Sequence, residues 1–270
     1  MTLRKAYINL SLAFILIMLT VMLYALKVSR LTIGWTMTIY IMTSIVALAA
    51  IGFNIVLFKR KKEEINDNYL KKHQFEILDW LTFLSISMMF ILILFMFFIL
   101  PTNVDGSSMK PTLIDSERVL MYHFNYNPKR DDVIIVHVTD RYIDTTGEQV
   151  NLSSDYEDQE QVYFVKRVVA IPGDTVTFEE IGTSDVYHIL INGEVYQNQY
   201  FQIYQVDDPG RLKMISYLDG NNILRENQYF AFGDNESFSY DSRSIGAIHS
   251  DDIIGKAVYK LWPFGGISNG

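Results

Sequence analysis

Val104-Asp105-Gly106-Ser107-Ser108-Met109-Lys110-Pro111-Thr112-Leu113 divides this 270-residue chain into two unlike parts. Before it lie three long apolar runs. After it, short runs rich in β-branched and aromatic residues are separated by turn-forming residues. The stretch falls just beyond the last apolar run, where a chain leaving a bilayer first meets water. A serine in such a Gly-Ser loop is either a turn former or a nucleophile, and its hydroxyl attacks at neutral pH only if another group takes its proton. Ser108 is therefore a candidate nucleophile whose base must be found elsewhere.

Charge separates the same two parts. Residues 1–100 hold ten Lys/Arg and five Asp/Glu, and residues 101–270 hold thirteen and twenty-six, so formal charges of +5 and −13 make up the net −8. We read 1–100 as a membrane anchor and 101–270 as a separate extracytoplasmic domain. So acidic a second part repels phosphate backbones, which disfavours a nucleic-acid partner, and none is expected. With no cysteine in the chain, disulfides, thiolate metal sites and a cysteine nucleophile are excluded as well.

The runs 7–26, 31–58 and 80–100 carry no Asp, Glu, Lys or Arg, and each has the roughly 20 helical residues that cross a bilayer core. The first lacks a small-x-small cleavage site and is read as a retained helix. Asn9 and Asn54 inside the spans are expected to make interhelical hydrogen bonds. Lys59, Arg60, Lys61, Lys62, Lys71 and Lys72 crowd the second loop, which the positive-inside bias places in the cytoplasm; the amino terminus is then cytoplasmic and everything after Leu100 lies outside. Glu76 and Asp79 fit a cytoplasmic approach helix. Eight residues past Leu100, Ser108 stays within roughly 26–29 Å of the third span even in extended chain.

Beyond Pro101 strands are expected at 118–122, 132–138, 162–171, 186–191, 228–232 and 253–262, with Asn192-Gly193 as a two-residue hairpin turn. The fold expected is a mostly antiparallel all-β domain without a convincing helix. Residues 142–161, with Asp155, Glu157, Asp158 and Glu160, read as a solvated acidic insertion lacking calcium-loop spacing.

Among candidate bases, His73, His123, His137, His188 and His249 have neither metal-ligand spacing nor a feature that recommends them. Lys166 is better placed. Alternation along 162–171 puts it on one strand face with Phe164 and Val168, and burial of that face depresses an amine's pKa enough for it to accept a serine proton. Snorkelling or pairing with a carboxylate is the alternative for this lysine.

Gly106-x-Ser108-Met109-x-Pro111-Thr112-Leu113, Lys166-Arg167-Val168-x-x-x-Pro172-Gly173-Asp174, and Gly233-Asp234-Asn235 followed by Ser239-x-Asp241-Ser242-Arg243 resemble, in order, the sequence boxes of bacterial type I signal peptidases. Lys129-Arg130-Asp131-Asp132-Val133-Ile134 is similar to a further box, with Asp131 in its glycine position. The resemblance covers roughly residues 100–262. It implies a membrane-anchored Ser-Lys endopeptidase, in which a lysine at 166 marks the bacterial form, since the endoplasmic-reticulum relatives carry histidine there. It makes Ser108 the nucleophile, in preference to Ser107, and Lys166 the general base. Ser239 would orient the lysine amine, Asp241 and Arg243 would form a supporting ion pair, and Arg167, Asp234 and Asn235 would be supporting residues. Met109 would line the site and Pro111 fix the turn. The backbone N–H of Ser108 would serve the oxyanion, while Gly106 stands where some relatives supply a second donor hydroxyl. Glu236 replaces a frequent arginine.

The resemblance further implies exported preproteins with signal peptides as substrates, cut after small residues through an acyl-enzyme. It implies the lipid bilayer as support, the secretion translocon as a candidate neighbour, and no metal or organic cofactor. Two other readings compete: a non-proteolytic relative acting as assembly factor or chaperone for secreted or pilus proteins, which is expected to have lost the serine or the lysine, and a tethered binding module.

Overall fold

The computed structural model describes residues 3–28, 34–60, 69–150 and 162–267. Contacts divide the chain into two units, 1–99 and 100–270.

The first unit consists of three helices, α1 (Leu3–Ala25), α2 (Gly34–Arg60) and α3 (Tyr69–Phe97). Each is long and apolar enough to cross a membrane, as the uncharged runs require. Helix α3 begins eleven residues before the apolar run read from the sequence and ends short of Leu100, because Ile99 and Leu100 already belong to the first strand. Asp79 accepts a 2.8 Å ion pair from Lys5, joining α3 to α1. The expected hydrogen bond of Asn54 is not formed. Its side chain is buried, and neither amide atom has a partner among the described residues.

The second unit is built on strands β1 (Ile99–Asn103), β2 (Arg118–Tyr122), β3 (Val133–Val138), β4 (Val162–Ala170), β5 (Val176–Glu180), β6 (Val186–Ile191), β7 (Glu194–Val195) and β8 (Gln205–Asp207). There follow helix α4 (Asp208–Ile215), β9 (Gln228–Phe232), the one-turn helix α5 (Ser242–Ile245), β10 (Ile248–His249), β11 (Ile253–Trp262) and β12 (Phe264–Gly266). The large sheet has the order β1-β2-β11-β3-β4-β9-β10, with β12 beside β11. A smaller sheet runs β5-β6-β7, with β8 on the other side of β6. Every described strand register is antiparallel. The β6–β7 connection is the expected Asn192-Gly193 turn, with both residues at positive φ (54° and 85°), as a two-residue hairpin loop of this kind needs.

Helix α4 corrects the helix-free expectation. It is too short to show periodicity, and it is held by its ends and its packing. The Asp207 side chain caps it by accepting from the Gly210 N–H, proline occupies its first turn, and Gly210 and Met214 are buried. A Cβ at Gly210 would lie 2.6 Å from the Arg243 carbonyl oxygen, so this glycine lets α4 approach the segment that carries Arg243.

Strand β4 sits centrally, with β3 on one side and β9 on the other. Phe164 and Val168 face a core shared with Ile134, Val136 and Ala231, while Val169 belongs to a second core with Val176, Ile189, Tyr204 and Met214. Both faces of β4 are thus covered, a situation that buries consecutive residues instead of alternate ones. The first half of the expected acidic insertion is also anchored here. Tyr142 and Val150 are buried, and the Tyr142 hydroxyl donates to Asp252 at 2.6 Å. Asp155, Glu157, Asp158 and Glu160 lie outside the described residues.

Candidate active site

The loop between β1 and β2 carries Ser108. Its base is closed by the Val104 N–H donating to the Glu117 carbonyl and the Ser116 N–H to the Val104 carbonyl, at 2.9 and 2.8 Å. Met109 and Leu113 anchor it as buried side chains, so burial of this pair fixes the loop from within. Gly106 has φ +92° with open space where a Cβ would stand, and its N–H donates to Asp115 at 2.7 Å. Glycine is needed there for the backbone angle alone. Pro111 follows a cis peptide bond.

Lys166 reaches this loop from β4, donating from Nζ to Ser108 Oγ at 3.0 Å. The ammonium also lies 5.1 Å from the Phe164 ring centroid, so these two residues share a face as alternation requires. Burial pulls the lysine pKa down, the Asp241 and Asp234 carboxylates oppose that pull and Arg243 adds to it, leaving a value of about 8 against an ordinary 10.5. At neutral pH roughly a tenth of the amine is then unprotonated and able to accept a proton.

The segment after β9 supports both residues. Gly233 passes so close to the serine loop that a Cβ would lie 2.5 Å from the Ser108 carbonyl oxygen and 2.2 Å from Ser239 Oγ. Asn235 donates from its backbone N–H to the Ser108 carbonyl at 2.9 Å and from Nδ2 to the Ser107 carbonyl at 3.1 Å. Asp234 accepts both Nε and Nη2 of Arg167 at 2.7 Å, and the Arg167 Nη1 donates to the Asp131 carbonyl at 2.8 Å. Asp131 itself has φ +66°, the backbone region that explains a glycine at this place in the resembling box.

The Asp241–Arg243 pair is formed at 2.9 Å, and the Asp241 side chain also accepts the Gly233 N–H at 3.1 Å. Burial pushes the Asp241 carboxyl up, but the Arg243 charge and hydrogen bonds, with Lys166 and Ser239, outweigh it and hold the pKa below its ordinary value. Ser239 departs from expectation. Its Oγ accepts the Gly233 N–H at 3.1 Å and its hydroxyl bonds Asp241, so its hydrogen bonds are committed to the 233–241 segment and none joins it to Lys166. Among the described residues the lysine amine has Ser108 Oγ as its hydrogen-bond partner.

Asn198 escaped the sequence reading, and Thr112 and Glu236, which stand in the resembling segments, were given no contacts there. The Thr112 hydroxyl donates to Asp234 and accepts from Gln199 Nε2 at 2.9 Å and Arg167 Nη2 at 3.3 Å. Asn198, buried, holds the Tyr200 and Gln202 N–H groups through Oδ1 and donates to the Asp234 carbonyl. Glu236 takes up the place of the frequent arginine productively, accepting from the Gln205 N–H at 2.8 Å and Gln202 Nε2 at 3.1 Å and pairing with Arg243 at 3.3 Å. None of these contacts can be read from the sequence, since each depends on which loops meet.

The family model described as "Signal peptidase, peptidase S26" matches residues 77–262. Signal peptidase IB of Staphylococcus aureus (strain COL) is 30% identical over 200 residues, covering 70% of this chain and 91% of the relative. Signal peptidase I P of Bacillus subtilis subsp. natto is 29% identical over 198 residues, covering 72% and 92%. A solved signal peptidase I from Enterococcus faecalis V583 aligns with 48% of this chain and 97% of its own at 20% identity and a TM-score of 0.28. By the extent of the family match and of the staphylococcal relative, the chain belongs to the bacterial type I signal peptidases of the peptidase S26 family.

Proposed function

We propose that this chain removes signal peptides from exported preproteins with Ser108 as nucleophile and Lys166 as general base, at the outer face of the cytoplasmic membrane. The observation that carries the reading is the 3.0 Å contact between Lys166 Nζ and Ser108 Oγ, made by an amine whose burial holds its pKa near 8. A neutral amine at that distance is within reach of the hydroxyl proton it must accept.

Ser108 Oγ attacks the scissile carbonyl carbon while its proton passes to Lys166 Nζ. The oxyanion is met by the Ser108 N–H, which has no hydrogen-bond partner among the described residues. Collapse breaks the C–N bond, and the lysine ammonium gives its proton to the leaving amine, the new amino terminus of the mature protein. Water, deprotonated by Lys166, then attacks the acyl-enzyme, frees the signal peptide's carboxylate and restores Ser108.

The lysine-rich second loop supports an outward catalytic unit, and the short connection from the third span to Ser108 keeps catalysis near the membrane surface. A signal peptide's apolar core is held in that same bilayer, so enzyme and cleavage site share one thin layer and a high effective concentration. The assembly-factor reading is disfavoured by the retention of both serine and lysine in contact.

Membranes carrying the chain are incubated with a preprotein bearing an Ala-x-Ala site. Cleavage by the unmodified chain and none by Ser108→Ala or Lys166→Ala is the expected result. Persistent cleavage by both variants contradicts the assignment.

A further inference from the structure

We infer that Asn235 is a positioning residue that aims the oxyanion donor, through the peptide group joining Ser107 to Ser108. The inference rests on Ser108 being the nucleophile, and concerns how its loop is held. In a planar trans peptide the carbonyl oxygen and the amide hydrogen point in opposite directions, so holding one fixes the other. The Ser107 carbonyl accepts from Asn235 Nδ2 at 3.1 Å and from the Lys110 N–H at 3.2 Å. The Ser108 N–H of that same peptide group is thereby turned away from Asn235, and it has no hydrogen-bond partner among the described residues.

The two bonds to the Ser107 carbonyl do different things. The Lys110 bond lies within the loop and moves with it. The Asn235 bond ties the peptide to an outside element that is itself braced: Asp234 is locked to Arg167, the Asp234 carbonyl accepts from Asn198, and the Asn235 carbonyl accepts the Phe238 N–H at 3.1 Å. The Asn235 backbone N–H meanwhile holds the next carbonyl, that of Ser108, at 2.9 Å. One residue thus grips the peptide groups on both sides of the nucleophile's Cα. Donation to the Ser107 oxygen also polarises the amide and strengthens its N–H as a donor. Preorganised donors of this kind lower the barrier because no reorientation accompanies the reaction.

The test uses the full chain in vesicles with two matched signal-peptide-derived substrates, an ester and its thionoester, since the thionoester's sulfur gains less from an N–H donor than oxygen does. Asn235→Ala removes the side-chain bond and keeps the backbone one. It is expected to lower kcat for the ester about 10- to 100-fold, on the scale of losing part of one oxyanion donor. The KM and the midpoint of the pH profile are expected to be unchanged, and the ester-to-thionoester rate ratio to fall. Asn235→Asp, nearly the same in shape, is expected to do the same on the alkaline plateau and keeps the test valid if the alanine variant folds poorly. An unchanged kcat, or an equal loss on both substrates, overturns the inference. Ser108→Ala in parallel separates the two readings: an active Ser108→Ala contradicts the nucleophile itself, whereas an inactive one beside a fully active Asn235→Ala contradicts only the positioning role.

Discussion

Lys166 and Arg167 are consecutive residues of β4, and both are buried, at 4% and 2% exposure. They project to opposite faces of the large sheet, each covered by its own core. Arg167 meets a full carboxylate there, with both oxygens of Asp234 in reach. Lys166 meets a serine hydroxyl and an aromatic ring. One strand therefore holds a satisfied cation and an unsatisfied one, side by side, and only the second is free to lose its proton.

The unsatisfied cation costs stability. The folded-state pKa of Lys166, about 8, lies below its ordinary 10.5, so the cost is fully present below about pH 8 and disappears as pH rises to the unfolded value. A displacement of that size corresponds to about 3 kcal/mol. Lys166→Met is predicted to stabilise the β unit by up to about 3 kcal/mol at pH 7 while abolishing activity. Denaturant midpoints across pH check this: the advantage over the unmodified chain narrows above pH 8 and is gone near 10.5.

The satisfied cation behaves in the opposite way. Removing one partner of the Arg167–Asp234 pair, each under 3% exposed, leaves a buried charge unmatched, and Arg167→Ala or Asp234→Ala is predicted to cost about 3–5 kcal/mol. Arg167→Ala combined with Asp234→Ala is predicted to cost less than the sum of the two single changes. Equilibrium unfolding of the four proteins measures this coupling.

Two glycines near the serine should differ in what they tolerate. Gly233→Ala drives a Cβ to 2.2 Å from Ser239 Oγ and 2.5 Å from the Ser108 carbonyl oxygen, and is predicted to displace the serine loop and reduce cleavage at least about a hundredfold, as misplacement by about 1 Å does. Gly106→Ala meets open space at φ +92°, and is predicted to cost about 1 kcal/mol of backbone strain with activity largely retained. Initial rates and thermal midpoints of both variants distinguish a clash from a strained angle.

Much of this was legible in the sequence because it depends on local pattern. Uncharged length marked the three helices, alternation around Phe164, Lys166 and Val168 put the lysine on a buried face, and Asn192-Gly193 marked its turn. What the sequence could not show depends on loops meeting. Alternation assigns Arg167 to the face opposite Lys166, yet whether that face is covered is decided by β5–β8 and α4, whose strands are short and whose helix is one capped turn longer than noise. The resemblance implied that Ser239 bonds the lysine, but its place beside Gly233 gives it the Gly233 N–H and Asp241 as partners instead. Thr112 stands in the serine box without its role being legible there, and Asn198 carries no pattern; both matter through their bonds to Asp234.

The dyad is tested most directly by the pH dependence of kcat/KM for preprotein cleavage, which reports the free enzyme's base. With Lys166 at about 8, the rate constant is predicted to rise about tenfold per pH unit at acid pH, bend near pH 8 and then level. A profile flat between about pH 6 and 9, or one bending near the ordinary histidine value of about 6.5, would contradict a lysine base.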